Sequence, residues 1–349
     1  MKTNNLGFIL QALAAAIFFG ASAPIAKLLL GDIEPIFLAA FLYLGSGTGI
    51  SLVKWTQRKR LKDVEAGINR ADIPWLAGAI IAGGIIAPIV LMISLQNTPA
   101  STASLLLNFE GVGTTLIALV FFKEAIGRRA GTAIIVITFA SIFLSTDFKS
   151  GFGLSFGALG IILACVLWGA DNNFTRNISG KDPLAIVAWK GLVAGTFSFF
   201  LAWSLGNSFP AVKTILGTLV LGFVSYGLST MLFIRSMRGL GAARTSALYG
   251  TAPLAGVILS IILFHELPSF LFMIAAILMI GGALLLINEQ HEHSHVHTAL
   301  FHEHSHKHDD SAHTHDNFEG THSHEHEHPE EKHEHDHRPD IHHRHGHEE

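Results

Sequence analysis

Long apolar runs and short polar connections alternate over the first 287 residues of the chain, and then the alternation stops. The apolar runs fall at 7–30, 35–55, 74–96, 99–122, 130–145, 154–176, 183–206, 214–237, 242–264 and 268–287. Most reach the roughly 20 residues that a helix needs to cross a bilayer. Several open on proline (Pro35, Pro74, Pro99, Pro183, Pro268), which the first helical turn tolerates because its missing N–H has no partner there in any case. The pattern predicts ten transmembrane helices. Ala21, Ser22 and Ala23 are spaced like a signal-peptidase site, but the run holding them is too long for a cleaved signal and only Lys2 precedes it, so it is expected to stay as a helix.

The polar interruptions inside these runs repeat. The fourth run carries Asn108, Glu110, Gly111 and Gly113 near its middle and ends in Phe122 and Glu124; 142 residues later the ninth carries Gly250, Thr251 and Pro253 and ends in Phe264 and Glu266. The first and sixth runs overlay at an offset of 149, pairing Phe19 with Trp168, Gly20 with Gly169, and Lys27 with Arg176. Small-residue pairs, Gly45 with Gly49 and Gly191 with Gly195, point to close helix packing. Two five-span halves, 1–145 and 146–287, enter the membrane from opposite sides, so the expected fold is all-α, with ten transmembrane helices as two inverted five-helix repeats.

Charge fixes the orientation of that fold. With Met1 on the cytoplasmic side, the inside connections hold fifteen Lys and Arg and the outside ones only Lys149 and Lys213. By the positive-inside rule both termini are cytoplasmic, in the cell membrane. Residues 1–287 contain 19 Lys and Arg against 11 Asp and Glu, whereas 288–349 contain 4 against 16, so the tail is a separate acidic region. The single cysteine, Cys165, has no partner for an intrachain disulfide.

Taken in order, Trp168-Gly169 in the first span of a repeat, Pro35 and Pro183 opening the next, and Phe-x-Glu closing the fourth (Phe122 to Glu124, Phe264 to Glu266) resemble the EamA-type drug/metabolite transporter superfamily. Asn108 to Gly111 and the His-rich end are similar to a subset of that superfamily. The resemblance implies secondary transport of small metabolites or drugs along a path between the repeats, without nucleotide hydrolysis. The chain departs from the family's pattern in having Phe18 and Phe19 where Trp is usual, and Asn108 to Gly111 where a Thr-Pro is common.

A carboxylate near mid-membrane costs about 2.5–3.5 kcal/mol on insertion scales, so Glu110 is the first candidate for substrate or proton binding. Lys190, about 10 Å into its span at 1.5 Å per residue, is its candidate partner. Asp171 and Asn172 are candidate vestibule residues, Asn108 and Thr251 candidate substrate or ion contacts, and Trp168, Trp189 and Tyr249 candidate aromatic walls. Gly111, Gly113, Gly250 and Pro253 are expected to break their helices, and such breaks at matching places in two halves mark a transporter's site. Lys27 and Arg176 are read as snorkelling, and Glu124 and Glu266 as structural.

The tail holds 21 of the chain's 22 histidines, mostly as His-x-His, interleaved with carboxylates. His291, His293, His295, His297, His302, His304, His306, His308, His322, His324, His326, His328, His333, His335, His337, His342, His343, His345 and His347 are candidate ligands for divalent Zn, Ni, Co or Cu. Without apolar periodicity the tail is expected to be disordered. The primary reading is efflux of a small molecule coupled to an ion gradient. Divalent-metal efflux with the tail as collector or sensor, and a membrane-anchored metal buffer, stay open. The expected partners are the lipid bilayer, a small-molecule substrate and possible divalent metal ions; no nucleic acid, no required cofactor and no enzymatic arrangement of nucleophile and base are expected.

Overall fold

A computed structural model describes residues 5–57, 66–122, 128–147, 153–178, 181–240, 248–265 and 269–287 of the membrane part, and 291–297, 300–307, 321–328 and 331–337 of the tail. In the membrane part the helices are α1 (Asn5–Gly20), α2 (Ser22–Leu29), α3 (Pro35–Gln57), α4 (Ile73–Ala79), α5 (Ala87–Gln96), α6 (Ala100–Leu106), α7 (Phe109–Phe122), α8 (Arg128–Ser145), α9 (Phe156–Asn177), α10 (Pro183–Ser204), α11 (Val212–Leu221), α12 (Ser229–Leu240), α13 (Ala252–Phe264) and α14 (Phe270–Ile287). Two π-helical segments, Ile80–Ile86 and Gly222–Leu228, join α4 to α5 and α11 to α12. Among the described residues seven helical stretches are long and apolar enough to cross a membrane: Leu6–Leu29, Pro35–Thr56, Arg70–Gln96, Ala100–Phe121, Phe156–Asn177, Pro183–Ser204 and Val212–Ser236.

The interruptions have local causes. Pro24 cannot donate to the carbonyl of Gly20 and its ring crowds that oxygen, so the first stretch turns at Ala21 between α1 and α2. The ninth residue of the fourth stretch is where regular α-helix fails: Leu107 and Asn108 form a turn, with i→i+3 bonds from Glu110 N to Leu107 O and Gly111 N to Asn108 O. In the second half the turn is at Gly250 and Thr251, and Pro253 occupies the first turn of α13. The π segments start 142 residues apart, the same offset that relates the fourth and ninth runs.

Glycines set the closest approaches between helices. Gly191 on α10 lies against the backbone of Gly47 on α3, and Gly195 against Leu44, with no room for a Cβ at either. On the other side of α3, Gly45 abuts Leu219 and Gly222 abuts Leu42. The predicted small-residue pairs therefore pack on α3 and its neighbours, though not on each other in register. Helices α8 and α14 pack together around Ile137, Ala140, Phe272, Ala275 and Met279, against Leu105 and Val112.

The two ends of the bundle differ. At the inner end, the one the charge bias assigns to the cytoplasm, Lys54 pairs with Asp182 at 2.7 Å and Lys181 with Asp72 at 3.8 Å. At the outer end Phe37, Phe41, Phe199 and Phe209 form an edge-on ring cluster. There Lys27 does not only snorkel: its ammonium donates to Leu95 O at 2.6 Å and Gln96 O at 2.8 Å, the electronegative end of α5.

The membrane part is helical as expected, and a few short strand pairs lie beside the helices. Strand β1 (Thr146–Asp147) pairs with β2 (Gly153–Leu154) between the halves. In the tail, β3 (His291–His297) pairs antiparallel with β6 (Glu331–His337), and β4 (Leu300–Lys307) with β5 (Thr321–His328). The period of His-x-His is that of a strand, which is what allows the ladder. An isolated two-stranded pair has little stability of its own.

Candidate functional site

The break at Leu107 and Asn108 puts Glu110 in the first turn of α7, at the helix end whose dipole favours a negative charge. Helix α7 then crosses α9 closely, because Gly113 meets the backbone of Cys165 and Val166 while Gly169 meets Gly113 and Thr114. A Cβ on Gly169 would fall 2.6 Å from the backbone of Gly113 and Thr114, and one on Gly113 would be a tight fit at 3.1 Å from Val166 Cα. This crossing aligns one polar turn of α9 with α7: Asn172 Nδ2 donates to Glu110 Oε1 at 2.9 Å and to Thr114 Oγ1 at 3.1 Å, and Asn173 Nδ2 to Thr114 O at 3.0 Å. Glu110 is half-buried and Asn172 exposed, whereas the outer half of this stretch, from Ala103 to Leu107, is buried.

Asp171, 4% exposed, faces away from Glu110's amide partner toward α10 and the first π segment. Its Oδ2 forms an ion pair with Lys190 and its Oδ1 accepts from Thr175 Oγ1 at 3.0 Å. Lys190 is thus the partner of Asp171 and not of Glu110. The pair forms because Gly83 offers no side chain where the Asp171 carboxylate sits.

Gly83 also contributes its carbonyl. In the π register the amide of Ala87 bonds to Ala82 O, and the residue that would reach Gly83 O is Pro88, which has no N–H. That oxygen instead accepts from Tyr43 Oη at 2.6 Å and from Trp168 Nε1 at 3.0 Å. Backbone geometry in one stretch so fixes two aromatic side chains from two others.

Facing the polar residues is an aromatic arc. Phe19 stacks on Tyr249 with centroids 5.6 Å apart and meets Trp168 and Tyr226 edge-on at 6.3 and 6.1 Å; Tyr226 leans on Tyr43 at 5.6 Å. Ser229, on α12, donates to Ala15 O at 2.8 Å and lies 3.4 Å from Tyr249 Oη. Trp168 stands one helical turn before Asn172 on α9, so the same helix that meets Glu110 also carries one ring of the arc.

Of the residues expected from sequence, Glu110, Asp171, Asn172, Lys190, Trp168 and Tyr249 meet here. Asn108 lies at the helix break, and Thr251 closes the corresponding turn by donating to Leu248 O at 2.6 Å. Gly111 and Gly113 lie within α7, so the break precedes them; Gly250 lies in the turn of the second half and Pro253 just inside α13. Trp189 is 56% exposed on the outer face of α10, not a wall of the site. Glu124, Glu266, His308, His342, His343, His345 and His347 lie outside the described residues. For the tail, the backbone register sets His291 opposite His337, His293 opposite His335, His295 opposite His333, and likewise His302, His304 and His306 opposite His326, His324 and His322. His297 is opposite Glu331 and His328 opposite Leu300. Sequence reasoning missed Tyr43, Gly83, Tyr226 and Ser229 as site residues; the only signal was Pro88, five residues after Gly83.

This geometry is accompanied by three similarities. A protein from Methanothermobacter thermautotrophicus described as an uncharacterized transporter is 26% identical over 295 residues, covering 80% of this chain and 85% of that one. A crystal structure of a protein matches with a TM-score of 0.60 at 19% identity, over 80% of this chain and 95% of that chain, which is a likeness of fold. The model of the EamA-like transporter family matches twice, over residues 6–146 and 155–288. The chain belongs to the EamA-like transporter family, and is a multi-pass membrane transporter.

Proposed function

We propose that the protein is a secondary transporter of a small metabolite or drug, exporting it through a path between two inverted five-helix repeats, with Glu110 at the binding point. The observation that carries the reading is Glu110 itself, a carboxylate at the start of a broken helix in mid-membrane, met by Asn172 and open on one side. Support for the repeat comes from the double family match, the π segments 142 residues apart and the paired helix breaks. The exposure of Asn172 and the buried outer half of α6 favour a state open toward the inner end. Glu110 is the group that exchanges a coupled proton in this reading, and the charge bias places both termini in the cytoplasm.

Metal belongs to a second reading, confined to the tail, where the His-x-His arrays favour capture of divalent ions. Within the membrane part no three His, Cys, Asp or Glu gather to hold a metal among the described residues. The test is a flux screen in proteoliposomes with metabolites and metals in parallel. Wild-type protein is expected to move at least one solute saturably and Glu110→Gln, inserted in equal amount, to move none. Equal flux through both, or no flux of any solute through wild type, contradicts the proposal.

A further inference from the structure

The site has a charged side and an aromatic side, joined through α9, which carries both Asp171 and Trp168. Helices α7, α9 and α10 supply Glu110, Asp171 and Lys190, while Phe19, Tyr226 and Tyr249 come from α1, the second π segment and the ninth apolar run. On the charged side Lys190 is committed to Asp171, which leaves Glu110 with neutral hydrogen-bond partners among the described residues. With its carboxylate ionised, the site carries one negative charge beyond balance. On the aromatic side the ring faces around Phe19 attract a cation through their quadrupoles, most strongly where water is excluded.

From this division we infer that the substrate is an organic monocation with a flat apolar body, its ammonium against Glu110 and its body in the arc around Phe19. The inference rests on the transport reading above and names its substrate class. An anion meets Glu110 first and finds Lys190 already neutralised. A divalent metal finds one available carboxylate and aromatic faces in place of the six or so oxygen ligands that hard cations take. Helix α13 begins three residues after Tyr249 and the positive end of its dipole favours an anion, but Pro253 in its first turn removes one donor there.

The test uses the full-length protein purified in detergent and isothermal titration calorimetry with phenyltrimethylammonium. Tetramethylammonium, benzenesulfonate, phenylalanine and nickel chloride are the comparators. Phenyltrimethylammonium is expected to bind saturably and at least tenfold more tightly than tetramethylammonium, with neither benzenesulfonate nor nickel displacing it. Glu110→Gln is expected to weaken it at least tenfold and Phe19→Leu several-fold, whereas Glu110→Asp keeps most of the affinity; gel filtration checks that each variant is monodisperse. Tighter binding of benzenesulfonate or phenylalanine, unchanged affinity in monodisperse Glu110→Gln, or no saturable binding of phenyltrimethylammonium overturns the inference. Saturable flux of benzenesulfonate or phenylalanine in proteoliposomes then leaves the transport reading standing, and absence of flux for every solute of the parallel screen removes both.

Discussion

Replacing Lys190 by methionine keeps the length of the side chain and deletes its charge, which strands Asp171. The Asp171 side chain is 5% exposed and, among the described residues, keeps the Thr175 hydroxyl as its remaining hydrogen-bond partner. Removing one member of a buried pair costs about 3–5 kcal/mol because the other charge stays in a medium that cannot solvate it. The Lys190 side chain is 20% exposed, so water already screens the pair in part and the lower end, about 3 kcal/mol, is expected. At about 2 °C per kcal/mol, the small-shift end that a long chain approaches, Lys190→Met lowers the melting temperature by about 6 °C. Adding Asp171→Asn removes the stranded charge and recovers most of that loss. The assay is tryptophan fluorescence during heating of the purified protein in detergent. A shift below about 2 °C for Lys190→Met, or recovery by Glu110→Gln in place of Asp171→Asn, refutes the assignment of the pair.

Other outcomes follow from the same geometry. Glu110→Gln keeps both groups of the Asp171–Lys190 pair, so it folds with an almost unchanged melting temperature while flux is lost; a fall as large as that of Lys190→Met shows Glu110 to be structural. Tyr43→Phe takes one of two donors from Gly83 O and leaves Trp168 in place, so it costs about 1 kcal/mol in the same melting assay. Gly83→Leu puts a side chain where the Asp171 carboxylate sits and is expected to abolish the monodisperse peak in gel filtration, which Gly131→Leu, with open space around it, leaves intact. Deleting residues 288–349 leaves the melting temperature of the membrane part unchanged and removes most nickel and zinc uptake in equilibrium dialysis; full metal capacity in the truncated protein contradicts the tail reading.

Residues whose type is costly in lipid were legible from sequence. Glu110, Asp171 and Lys190 could be singled out because charge in an apolar run needs a reason, and Trp168 because the repeat paired it with Phe19. The pairing among them was not legible. Depth along a helix places Lys190 and Glu110 at comparable levels, but which carboxylate Lys190 reaches depends on helix rotation, and that is fixed by Gly83, Gly113 and Gly169 letting backbones approach. The π segments were hidden for a similar reason: their apolar composition reads as ordinary helix, and only the missing amide of Pro88 hints that a carbonyl is left for Tyr43 and Trp168. Helix breaks were located to within a few residues, since glycine marks permissive backbone without fixing where the turn falls.

The central claim is that a solute passes Glu110 from one side of the membrane to the other, and two-sided thiol labelling tests it most directly. Cys165 is the one cysteine of the chain and is buried, so Cys165→Ala gives a silent background. In it, Asn172→Cys probes the exposed inner approach to Glu110, and Ser104→Cys, at a position 1% exposed in the outer half, probes the closed side. The account predicts that a membrane-impermeant reagent modifies Asn172→Cys from the inner side alone, and that Ser104→Cys becomes reactive from the outer side during turnover, when the site alternates. Reaction of Asn172→Cys from the outer side in the resting protein, or a Ser104→Cys that stays unreactive in protein shown to carry flux, contradicts it.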